Sequence, residues 1–138
     1  MAENDEIPTP QKRVGLNRLV RAVIYSAEGF GSALKHESAF RFEVFLAAIM
    51  LPAAVLLPVG LLGKALMIGS VLLVLITELL NSAIEWVVDY VSLDSHPFAK
   101  RSKDMASAAV FISLLNVITI WALVLAENWD AVSEVFLP

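Results

Sequence analysis

The chain has no cysteine in its 138 residues, which removes disulfide frameworks, thiolate nucleophiles, thiolate zinc sites and dithiol redox chemistry together. It also lacks a dense basic block. Ten Lys and Arg against fourteen Asp and Glu leave a net charge of −4, and a nucleic-acid binder needs clustered cations to neutralise phosphates. Neither His-Arg-Asp nor Asp-Phe-Gly occurs, so a soluble protein-kinase fold is excluded. His36 and His96 form no His-Glu-x-x-His zinc motif. The Gly60-Leu61-Leu62-Gly63-Lys64-Ala65 stretch has neither the spacing nor the hydroxyl of a phosphate loop, and Gly29-Phe30-Gly31 is too short for a nucleotide fold. The N-terminus does not read as a signal peptide, because it starts acidic and the first apolar run comes more than 40 residues later.

What the chain does have is apolar surface. Hydrophobic residues make up 58% of it and mean hydropathy is +0.73, too apolar for an ordinary soluble domain. Three uncharged runs carry this: Val44 to Gly63, Ala65 to Thr77 and Met105 to Ala126. About 20 residues span a bilayer, so the first and third suffice alone. The second suffices if its helix continues through Glu78 to about Val91. The expected fold is all-α: three transmembrane helices at about 44–63, 65–91 and 103–126, preceded by an N-terminal helix at about 14–36. Residues 14–126 then form one membrane domain between a disordered tail, 1–13, and a second tail, 127–138.

The N-terminal helix follows from Leu16, Leu19, Val20, Val23, Ala27, Phe30 and Leu34, which recur at helical spacing, with Arg18, Arg21 and Lys35 largely off that stripe. It fits a helix lying in the membrane interface with cations near anionic headgroups, or an amphipathic helix packed on protein. Six cations precede the first span, Lys64 alone lies between the first and second, and Lys100, Arg101 and Lys103 lie between the second and third. The positive-inside rule then puts the N-terminus in the cytoplasm and the Glu127 to Pro138 tail in the periplasm.

A charged side chain inside a span costs roughly 2.5–3.5 kcal/mol on insertion scales. The second span holds three: Glu78, Glu85 and Asp89. At about 100° per residue Glu85 and Asp89 return to within roughly 20° of Glu78, and Asn81 and Ser82 flank the same stripe. Asp89, near the cytoplasmic end, could instead reach water or pair with Lys103. Glu78, expected near mid-depth, is dearer to keep, since structural glue there is more cheaply made with Ser or Asn. Carboxylates a turn or two apart suit Mg²⁺, which takes one or two protein oxygens and completes its octahedron with water and phosphate. One held away from water suits a general base. The Glu37 to Glu43 segment on the same side is either a second source of oxygens or a solvated turn. The Lys100-Arg101-Ser102-Lys103-Asp104 cluster is either a topological anchor or a polyphosphate site, with Asp104 near a helix N-terminus. Ser102, Ala106, Ala109 and Ser113 recur at helical spacing and permit close packing. Three spans hide an acidic face poorly, so the chain is expected to oligomerise.

Glu78-Leu79-Leu80-Asn81-Ser82-Ala83-Ile84-Glu85, continuing to Val88-Asp89, and Lys103-Asp104-Met105-Ala106-Ser107-Ala108-Ala109-Val110 together resemble the bacterial integral-membrane diacylglycerol kinases. The likeness extends to Glu37-Ser38-Ala39-Phe40-Arg41 and to Arg18-Leu19-Val20-Arg21-Ala22. It implies a homotrimer of the inner membrane that transfers the γ-phosphoryl of MgATP to diacylglycerol, giving phosphatidic acid. By that resemblance Glu78 is the general base, and Glu37 and Glu85 hold the metal and face the ATP phosphates. Asn81 orients the reacting groups, and Lys103 and Asp104 contact the nucleotide. Arg18 and Tyr25 line a shared nucleotide and lipid entrance, Asp94, Ser95 and His96 meet the adenosine, and Glu43 and Ser107 belong to the lipid pocket. An undecaprenol kinase resembles the chain in the same motifs. A proton- or cation-conducting oligomer using Glu78 and Glu85 leaves Glu37 and the Lys103-Asp104 pair unexplained, and a purely structural subunit leaves all three acids so.

Overall fold

The computed structural model describes residues 16–91 and 96–136. The expected tail at 1–13 and two expected adenosine contacts, Asp94 and Ser95, lie outside them. The described residues form five helices and no strand: α1 Leu16–His36, α2 Ser38–Leu56, α3 Leu61–Val91, α4 Pro97–Glu127 and α5 Trp129–Phe136. α2, α3 and α4 are each long and apolar enough to cross a membrane.

The break between α1 and α2 is a single residue. Glu37 adopts an extended backbone (φ −104°, ψ 115°), while its N–H still donates to the Ala33 carbonyl at 2.8 Å. One guanidinium nitrogen of Arg41 donates to the Leu34 and Lys35 carbonyls, both at 3.3 Å. A cation thus satisfies carbonyls that the end of α1 leaves open. The first span accordingly starts at Ser38 rather than at Val44. Arg41 and Glu43 are accommodated inside the helix instead of delimiting it.

The same span ends early. The uncharged run reaches Gly63, but helix α2 stops at Leu56, because Pro58 disfavours the helical region for Leu57, which is extended at ψ 142°. Lys64 does not mark the turn either: it lies in the first turn of α3, and its ammonium donates to the Val55 carbonyl at 2.6 Å. This cation closes the end of α2 and ties the α2–α3 hairpin. α3 therefore starts four residues earlier than expected, and α4 starts six residues earlier, at Pro97. Proline is pre-set for a first helical turn, and the His96 imidazole caps it by accepting the Phe98 N–H at 3.2 Å.

α3 and α4 each contain 31 residues and are therefore about 46 Å long at 1.5 Å per residue, against about 30 Å of hydrocarbon. They pack on each other, and α2 packs on α3. One cluster joins Ala54, Val59, Met67 and Val124 at the α2–α3 hairpin end, with Val132 of α5 added to it. A second joins Ala47, Val71, Val74 and Val117 further along. Between α3 and α4 the Thr77 and Ser113 hydroxyls meet at 2.8 Å, and the Trp121 indole N–H donates to the Met67 carbonyl at 3.4 Å. Of the expected small-residue stripe, Ala106 and Ser113 are buried while Ser102 and Ala109 are exposed. Ser102, in the second turn of α4, lines an open pocket with Val87, Val88 and Val91 of α3. The expected tail from Glu127 includes a helix, α5, whose Val132 is buried; Asn128 turns the chain there, its amide donating to the Val124 carbonyl at 2.8 Å.

Met67 is fully buried where four helices meet. Met67→Ala should destabilise the fold by about 2–5 kcal/mol. Unfolding of the purified protein in detergent checks this, and a loss below about 1 kcal/mol would show that the hairpin end is not a packed core.

Candidate functional site

The site grows from one face of α3. Glu78 is only 4% exposed, in a helix whose neighbouring residues are mostly Leu, Ile, Val and Ala, and Ser82 one turn on is also buried. Glu85 is half-buried and Asp89 exposed, so burial falls steadily along the stripe. Glu78 lies about 26 Å along the helix axis from Leu61 (17 residues at 1.5 Å), a little past the middle of the 31-residue α3.

Three further carboxylates face it. Glu37, from the extended elbow, and Glu85 are its charged neighbours, and Glu43 approaches from α2. The Asn81 side-chain amide stands beside Glu78 as a hydrogen-bond donor. Acids from three segments, spread over about 50 positions of sequence, thus come near enough to Glu78 to feel its charge. Two buried oxygens there lack any partner: Oε2 of Glu43 and Oδ1 of Asn81. A buried acceptor without a partner costs about 1–3 kcal/mol, so both atoms call for a donor or a cation.

Among the described residues no three His, Asp or Glu side chains converge closely enough to hold a metal unaided. Mg²⁺ does not need such a cage, since one or two carboxylates and phosphate oxygens suffice. The donor set is all hard oxygen, and the unpartnered Glu43 and Asn81 oxygens lie beside it, so the residues fit that ion.

Glu37 is held by a residue that sequence reasoning missed. The Trp86 indole N–H donates to its Oε1 at 2.7 Å, and the His36 ring meets the Trp86 ring edge-on, with centroids 6.2 Å apart. Trp86 read as one more apolar residue of the span; its partner lies 49 positions away and no local pattern signals it. Trp86, Leu79 and Ser82 of α3, with Ser26 and Phe30 of α1, line an open and mainly apolar cavity of about 680 Å³ that ends on Glu37. A smaller apolar pocket, about 60 Å³, opens beside Glu43 between Met50, Val74 and Leu114.

The basic cluster is arranged differently from expectation. It lies within α4, so Asp104 is the eighth residue of that helix, not part of its first turn, and the helix dipole gives it little. Lys100 pairs with it at 2.5 Å. Lys103 pairs with Asp89 across α3 and α4 at 2.6 Å, so the alternative in which Asp89 meets Lys103 is the one realised. Arg101 lies over the Phe98 ring, 5.7 Å from its centroid. His96 spends its Nδ1 on the α4 cap. Ser107 is exposed on α4. Arg18 and Tyr25 lie on the exposed part of α1, and among the described residues no hydrogen bond or ion pair joins them to the carboxylates. Arg18 is about 27 Å from the elbow along the helix axis (18 residues from His36).

The family model for prokaryotic diacylglycerol kinase matches residues 24–125. Proteins named diacylglycerol kinase are 49% identical over 119 residues in Pseudomonas aeruginosa, covering 86% of this chain and 97% of that one. The Haemophilus influenzae protein of that name is 46% identical over 110 residues, 80% of this chain and 93% of its own. In Escherichia coli K12 the figure is 40% over 115 residues, 83% and 94%. The match contains α2 and α3 entire, most of α1 and nearly all of α4, and with them every carboxylate of the cluster; the chain belongs to the prokaryotic diacylglycerol kinase family.

Proposed function

We propose that the chain transfers the γ-phosphoryl group of MgATP to the free hydroxyl of 1,2-diacylglycerol in the inner membrane, giving phosphatidic acid and ADP for phospholipid recycling. The observation that carries this reading is the buried Glu78 carboxylate within a membrane-spanning helix, with Glu37, Glu43 and Glu85 around it. A lipid hydroxyl at the edge of the apolar layer and a nucleotide in water meet at the membrane–water boundary, and acids drawn from α3, the α1–α2 elbow and α2 converge to serve both.

Glu78 accepts the proton of the lipid hydroxyl as its oxygen bonds to the γ-phosphorus. The bond from that phosphorus to the β–γ bridging oxygen breaks, and ADP leaves with the electron pair. Phosphoryl transfer asks little covalent chemistry of a protein and much positioning and charge neutralisation, so a small site suffices. Glu37 and Glu85 would hold Mg²⁺, which when bound neutralises charge on the phosphates. Asn81, beside Glu78, orients the hydroxyl and the carboxylate. Lys103 and Asp104, one α4 turn apart from Lys100, meet the nucleotide, with His96, Asp94 and Ser95 towards its adenosine. Glu43 and Ser107 face the lipid. Arg18 and Tyr25 line the entrance from α1, which lies in the interface with Leu19, Val20, Val23 and Ile24 towards the acyl chains; those four side chains are exposed in the single chain.

Arg18, in the first turn of α1, is remote from its own carboxylates, and the outward faces of α3 and α4 are apolar and exposed, with Leu80, Ile84, Phe111 and Ile118 among them. Both features support a homo-oligomer, a trimer by family likeness, in which α1 of one protomer serves the site of another. The charge distribution supports a cytoplasmic N-terminus and a periplasmic C-terminus.

Glu78→Gln should lower turnover by at least about a hundredfold while leaving MgATP binding near wild type, because the amide keeps the shape but cannot take the proton. Turnover retained within tenfold would name another base. Glu85→Gln should raise the Mg²⁺ concentration needed for half-maximal rate and weaken nucleotide binding; an unchanged Mg²⁺ dependence would remove Glu85 from the metal site. With γ-labelled ATP and the purified protein in micelles, label should enter phosphatidic acid only when Mg²⁺ is present. Label entering undecaprenyl phosphate but not phosphatidic acid would overturn the choice of acceptor.

A further inference from the structure

The elbow at Glu37 has a peculiarity of construction. A residue at a helix N-cap ordinarily turns its side chain onto the first free N–H groups of its own helix. Glu37 makes no such bond, and its carboxylate crosses to α3 instead, where the Trp86 indole N–H holds Oε1 at 2.7 Å. The indole is in turn flanked by the His36 ring. Trp86 directly follows Glu85 in sequence, so one turn of α3 carries both a carboxylate of the cluster and the donor that fixes another.

We infer that Trp86 is a positioning residue for Glu37: its indole N–H locks the glutamate in the conformation that presents its second oxygen to the metal-bound nucleotide. This rests on the assignment of Glu37 to the metal site. The indole N–H is a donor only, so it can satisfy one carboxylate oxygen without competing for the ion. It also removes rotamer freedom that an unrestrained glutamate at an extended elbow would lose on binding. Carboxylates that ligate metals are commonly held this way by an outer hydrogen bond, and loss of such a partner lowers metal affinity or activity about 10- to 100-fold. Trp86 is itself 61% exposed and walls the cavity that ends on Glu37, so its ring and its N–H have separable roles.

Trp86→Phe keeps the ring and removes the donor. In the full-length protein in micelles it should raise the Mg²⁺ concentration for half-maximal rate about tenfold. The rate at saturating Mg²⁺ should stay within about twofold of wild type, as should the KM for diacylglycerol. The hydrogen bond is read independently of turnover in the metal-free protein. There the Trp86 indole N–H resonance, identified by its disappearance in Trp86→Phe, should shift and exchange faster with water in Glu37→Ala. Absence of that shift means no such bond forms in solution and overturns the inference. So does a Trp86→Phe variant with wild-type Mg²⁺ dependence, or one that loses maximal rate and thermal stability without any Mg²⁺ shift. Glu37→Gln separates the two levels of the argument: if it raises the Mg²⁺ requirement while Trp86→Phe does not, Glu37 keeps its place and Trp86 loses its own. If neither variant shifts it, the assignment of Glu37 falls and the role of Trp86 with it.

Discussion

A carboxylate withdrawn from water inside an apolar helix has to be compensated by what surrounds it, and Glu78 imposes that requirement on the whole chain. Its helix must be long enough to span the apolar layer and still carry the rest of the acidic stripe, and α3 at about 46 Å is. Its neighbours on α2 and α4 must come close, and small buried residues on those helices, Ala47, Ala106 and Ser113, permit it. Polar groups must be near, and Asn81 and Ser82 supply them within one turn. What these arrangements do not supply is a partner for Glu43 Oε2 or Asn81 Oδ1, so the single chain is complete as a fold and unsatisfied as a site.

The excess length of α3 and α4 over the hydrocarbon organises the rest. Beyond the apolar layer the two helices continue side by side, and there they carry charge: Glu85, Asp89, Lys100, Arg101, Lys103 and Asp104. The Asp89–Lys103 pair ties these ends together. Both of its side chains are partly exposed, so it contributes little stability. Its effect is on position, since it fixes where the basic start of α4 sits relative to the acidic end of α3. The elbow at Glu37 then brings α1 back over α3 and closes one side of the cavity.

Much of this was legible in the residues. Glu78, Glu85 and Asp89 repeat at helical spacing, and the structure keeps them on one stripe graded from buried to exposed. The three spans are present, and the amphipathic N-terminal segment is a helix. The ends of the helices were not legible from hydropathy. Val44 to Gly63 is one uncharged run, yet backbone sterics at Leu57-Pro58 cut it. Arg41 and Lys64 looked like boundaries because they are charged, yet each reaches a carbonyl at the end of a neighbouring helix and so sits inside its own. Trp86 was invisible as a site residue because an indole counts as apolar and its N–H has no local partner.

The sequence by itself determined the class of protein, the number of spans, the acidic face of α3 and the family, because these depend on composition, period and local motif, all of which act within a few helical turns. The tertiary structure alone decided which oxygen meets which donor. That Glu37 turns away from its own helix towards Trp86, that Lys103 takes Asp89 while Asp104 takes Lys100, and that Glu43 arrives beside Glu78, all follow from how α1, α2 and α4 are placed around α3. Hydrogen bonds and ion pairs are short-ranged, and residues far apart in sequence reach that range only once packing has set the helices against one another.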